Sequence, residues 1–112
     1  MQFLLIICHD DAFRPTEKLI SEIRAWTEEM SADGIRIYGN PLRPPGEAIT
    51  IRVRDGRLKR TNAPFADSVE KICAYELIEC ATLEQAVEVA SKHPMAKAAT
   101  IEVRQVWAEL AR

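Results

Sequence analysis

Glycine is scarce in this 112-residue chain, four residues in all, and none of them builds a glycine-rich phosphate loop. There is no serine nucleophile elbow, and no His or Cys pair stands at metal-ligand spacing. The three cysteines, Cys8, Cys73 and Cys80, form an odd set without a two-residue spacing. They read as reduced thiols in a cytoplasmic protein. Together these absences leave no cofactor and no metal to expect. Positive charge is also short: 15 Lys and Arg against 17 Asp and Glu give a net charge of −2, so no basic field is available for nucleic acid. Aromatic residues make up only 6%, too few to interleave with cations as single-strand binding would want. The apolar run Phe3 to Cys8 is too short for a signal segment or a membrane span. At 47% apolar and 29% charged, the composition suits one folded globular domain over residues 1–112 and argues against disorder.

The apolar pattern is rich in period. Gln2 to His9 places Phe3, Leu5 and Ile7 on one face and Leu4, Ile6 and Cys8 on the other, the mark of a central strand. Arg14, Pro15 and Thr16 open a helix whose stripe is Leu19, Ile23, Trp26 and Met30 and whose end is Gly34. Trp26 and Met30 belong to the core. Ile35 to Tyr38 form a short second strand, and the stretch from Gly39 through Pro45 and Gly46 reads as a stiff loop. Ile49, Ile51 and Val53 alternate with Thr50, Arg52 and Arg54 ahead of Asp55–Gly56, which predicts a hairpin from about Ala48 to Thr61. Ile72 to Cys80 is a further strand. Thr82 caps a second helix with Gln85 reaching back, its stripe is Leu83, Ala86, Val87 and Ala90, and Pro94 stops it. Thr100 to Trp107 alternates as the last strand, which places Trp107 in the core.

This order predicts an α+β fold: a ferredoxin-like sandwich with an antiparallel sheet, both helices on one face and a hairpin arm. The other face then carries first-strand apolar residues beside Thr50, Arg52, Glu102 and Arg104. A half-apolar open face asks for a partner.

Thr61–Asp67 with its Pro64–Phe65, Tyr75–Glu79, Val53–Gly56, His93–Ala96 and Ile101–Trp107 together resemble the YCII-related family, in particular its branch named for an Asp-Gly-Pro-Phe (DGPF) motif. Asn62 and Ala63 stand where that motif has its acid and glycine. The resemblance implies a dimeric α/β barrel, a homodimer in which two sheets face each other around a cavity. For this branch it also implies genes that accompany extracytoplasmic-function sigma factors, and for related proteins a proposed histidine-and-acid chemistry. The first-helix histidine of those relatives has no counterpart between Pro15 and Asp33.

His9, at a strand end beside Asp10 and Asp11, is a candidate proton shuttle; a solvated loop histidine is the competing reading. Glu76, flanked in alternation by Ala74 and Ile78, is a candidate general base of raised pKa; its alternative is a cross-strand pair with Arg52 or Arg104. Arg52, Arg54, Arg57, Lys59 and Arg60 could draw an anion, or simply keep an edge hairpin from aggregating. Arg43, Asn62 and Phe65 could wall one cavity, or belong to rigid connections. His93 ends the second helix, where an imidazolium suits the helix dipole.

Two readings follow. One is a small-molecule-binding or regulatory homodimer, its ligand small and anionic or aromatic, held between the sheets near Arg52, Arg104, Tyr75 and Phe65. The other is a cofactor-independent lyase or isomerase that moves a proton with His9 or Glu76 while Arg52 or Arg104 steadies the anion.

Overall fold

The computed structural model describes residues 1–111. Its elements are β1 (Gln2–His9), α1 (Glu17–Ala32), β2 (Arg36–Pro41), a 3₁₀ turn (Pro45–Glu47), β3 (Thr50–Arg54), β4 (Arg57–Thr61), β5 (Lys71–Glu79), α2 (Leu83–Ser91), α3 (Pro94–Ala98) and β6 (Thr100–Gln105). Four strands make an antiparallel sheet in the order β2-β5-β1-β6. This is the ferredoxin-like α+β arrangement. β3 and β4 pair only with each other, as a separate two-stranded arm.

Alternation decides what is buried. Phe3 and Leu5 of β1 lie opposite Ile78 and Glu76 of β5, and this face meets Trp26 and Met30 of α1 and Ala86, Val89 and Ala90 of α2. Trp26 is anchored there by an indole N–H donated to the Val89 carbonyl at 3.2 Å. The opposite face presents Leu4 and Ile6 of β1, Tyr75 and Leu77 of β5, Tyr38 and Asn40 of β2, and Glu102 and Arg104 of β6.

Local chemistry explains the boundaries. Thr16 caps α1 by accepting from Leu19 N–H, and Gly34 beyond its end takes φ 72°. Thr82 accepts from Gln85 N–H while Gln85 Oε1 accepts from Ala81 N–H, a capping box displaced by one residue. Asp55 and Gly56 take φ 51° and 73°, as a two-residue primed turn requires.

Five expectations need correction. β2 runs on through Gly39 and Asn40 to Pro41, because it is an edge strand on which proline costs no inner ladder bond. Thr50 and Arg52 lie on the arm and not on the open sheet face. The buried stripe of α2 is Ala86, Val89 and Ala90, while Leu83 and Val87 are exposed. Pro94 does more than stop a helix: it begins α3. The last strand ends at Gln105, so Trp107 leaves the sheet and is 68% exposed.

Candidate functional site

Where the ends of β1 and β5 meet α1 and the start of α3, a pocket of about 300 Å³ opens. Ile7, Ile23, Ala74 and Met95 give it apolar walls, and Phe13, Pro15 and Leu42 surround them. His9, Glu76 and His93 line it together with Cys73. His9 is half-buried, whereas Glu76 and His93 are only 7% and 2% exposed.

Glu76 sits on the helix-facing side of β5, and its partner is Arg36, neither Arg52 nor Arg104. Arg36 Nε donates to Glu76 Oε2 at 2.6 Å, and Arg36 Nη2 donates to the Gly39 carbonyl at 2.9 Å. Gly39 makes room for this: a Cβ there would strike the Glu76 carboxyl and lie 2.6 Å from the Tyr75 carbonyl oxygen. Burial raises the Glu76 carboxyl above its ordinary pKa, against the opposing pull of Arg36.

His93 is the N-cap of α3. Its Nδ1 accepts from Met95 N–H at 3.0 Å, which fixes the proton on Nε2, and its ring lies edge-on to Trp26 with centroids 4.5 Å apart. Burial lowers its pKa to about 4, so the ring is neutral near pH 7 and the expected helix-end cation is not there. No fully buried side-chain polar atom among the described residues lacks a hydrogen-bond partner. Glu76 Oε1 and His93 Nε2–H take no part in these bonds and are not fully sealed, and both residues line the pocket.

His9 stacks on Phe13 with centroids 4.6 Å apart, and its Nδ1 donates to the Asp10 carbonyl at 2.7 Å. That bond leaves its Nε2 without a backbone partner. Burial, with Cys8 nearby, pushes the Cys73 thiol up to about 11, which keeps it protonated and unreactive near neutral pH.

The other candidates fall elsewhere. Arg43 and Phe65 line a second cavity of about 280 Å³ between the proline-rich loop and the base of the arm, and Arg43 is forked onto Glu47 at 3.2 and 3.1 Å. Asn62 is exposed just past β4 and lines neither cavity. Arg52 points from the arm to the Phe65 carbonyl at 3.5 Å. Tyr75 lies on the open sheet face, its hydroxyl accepting from Asn40 at 3.4 Å. Arg104 is on the edge strand beside Glu102 at 3.7 Å. Arg52, Tyr75 and Arg104 thus share no pocket within the chain. Sequence reasoning missed Arg36 and His93 as site residues. His93–Pro94 carried the signal, since a residue before a helix-opening proline is an N-cap position.

Among the described residues no cluster of His, Cys, Asp and Glu is disposed to hold a metal ion, and no helix is long and apolar enough to cross a membrane. The family model described as YCII-related domain matches residues 1–109. Comparison with curated proteins gave no match.

Proposed function

Because the chain belongs to the YCII-related domain family, we propose that it binds a small organic molecule in the pocket floored by Glu76 and His93, and that it does so as a homodimer whose open sheet faces meet. The observation that carries this reading is the convergence of His9, Glu76 and His93 on one otherwise apolar pocket. No lysine or arginine lines it, so a neutral molecule fits better than the anion expected from the sequence. The fitting ligand has an apolar body, an oxygen that accepts from His93 Nε2–H and a hydroxyl or amine that donates to Glu76 Oε1. Three free thiols are in keeping with a cytoplasmic location.

Titration with a panel of neutral aromatic and carbonyl fragments, followed by methyl NMR, tests the reading. The expected shifts cluster on Leu19, Ile23 and Met95 and vanish in Ala74→Phe, which fills the space. Shifts confined to other surfaces would overturn it.

A second reading, a cofactor-independent lyase or isomerase, is favoured by one detail. His9 and His93 line the same pocket, and each spends its Nδ1 on a backbone bond that leaves its Nε2 free, as proton removal with stabilisation of the resulting oxyanion requires. Incubation of a bound ketone probe in deuterated water separates the two. Deuterium entering the probe with wild type and not with His9→Phe supports catalysis; binding without exchange leaves the binder.

A further inference from the structure

We infer that the β3–β4 arm is a docking element for a second copy of this chain, its apolar side closing on the partner. In the arm's register Ile51 lies opposite Arg60 and Val53 opposite Leu58, so these side chains share one face. That face is bare: Ile51, Val53 and Leu58 are 55%, 58% and 67% exposed. A lone two-stranded ribbon is marginal in water and needs an apolar face packed against something else.

Size and charge identify the occupant. The surface area is 8205 Å², whereas a folded monomer of 12.7 kDa would have about 6,200 Å². The excess, on the order of 2,000 Å², is more than the roughly 800 Å² per partner of an ordinary stable interface. The arm, with Arg52, Arg54, Arg57, Lys59 and Arg60 against Asp55, carries net +4, which leaves −6 for the rest of a chain whose total is −2. The arm of one copy is therefore attracted to the body of another. The inference rests on the homodimer proposed above and adds to its meeting sheet faces a second contact, made by the arm.

Sedimentation equilibrium of the full chain tests it, with Val53→Glu/Leu58→Glu compared to wild type. Both changed side chains are solvent-exposed within the chain, so the body's thermal unfolding should be unaltered and reports that the variant is folded. The expected result is a dimer for wild type and a dimer dissociation constant raised on the order of 100-fold or more in the variant. Arm amides of the wild type should also gain exchange protection with rising protein concentration. Equal dissociation constants for the two proteins would overturn the arm's role while leaving the homodimer standing. A wild type that is monomeric at 100 μM would overturn both, and an arm that gains protection only with duplex DNA or anionic vesicles would assign it to another partner.

Discussion

At the scale of single residues, burial of ionisable groups sets the chemistry. His93 titrates near 6.5 in an unfolded chain and at about 4 in the fold, so between those values the unfolded state binds more protons. Its contribution is complete above pH 6.5 and is lost as pH falls towards 4, roughly 3 kcal/mol in all. Glu76 acts in the opposite sense: burial raises its folded-state pKa above 4.5, so it costs stability as pH rises from 4.5. His93→Asn keeps an N-cap acceptor and removes the imidazole. Chemical denaturation from pH 7 to 4 should show a shallower loss of stability in this variant, and an unchanged slope would refute the assignment. Arg36→Met strands Glu76 without its cation. We expect a loss of about 3 kcal/mol at pH 7 that shrinks at pH 4, where the carboxyl can take up a proton; equal losses at both pH values would show that the loss does not come from the stranded charge. Leu5, fully buried beside Phe3 and Ile78, should cost about 2–5 kcal/mol on truncation to alanine. Trp107→Ala, at an exposed site, should stay within about 0.5 kcal/mol. Comparison of denaturation midpoints checks both.

At the scale of elements, what could be read from the sequence was whatever local chemistry decides. Thr82 as a cap, Gly34 as a stop, Asp55–Gly56 as a turn and the two-sided apolar pattern of β1 each act within a few residues, and each stands in the structure where the sequence put it. What escaped depends on neighbours distant in sequence. Gly39 to Pro41 look like loop until β2 is known to be an edge strand, and Trp107 continues an alternation that the sheet does not follow. Glu76 was legible as a buried carboxylate from Ala74 and Ile78. Its partner was not, because the Arg36–Glu76 contact needs the β2–β5 register with its irregularity between Arg36 and Tyr38. The eight candidates came apart for the same reason: the arm, the open face and the helix-side pocket are separate surfaces that a linear pattern cannot separate. Thr82→Ala removes the acceptor for Gln85 N–H and should lower the melting free energy by about 1 kcal/mol.

At the scale of the whole molecule, shape carries the argument. The Cα radius of gyration is 15.9 Å and the extents are 47 × 40 × 19 Å, whereas a compact chain of this length has a radius near 13 Å. A thin slab with a projecting arm leaves one sheet face and one ribbon face without a packing layer. Because the arm and the body carry opposite charge, association should weaken as salt rises from 50 to 500 mM, which sedimentation at the two concentrations would measure. The pocket at the sheet–helix seam belongs to each copy by itself, so its occupancy is separable from assembly. A crystal structure soaked with the neutral aromatic and carbonyl fragments examines it most directly. Expected is fragment density within hydrogen-bond distance of His93 Nε2 and Glu76 Oε1; density found only between two sheets, with the Glu76–His93 pocket holding nothing but water, would contradict the assignment.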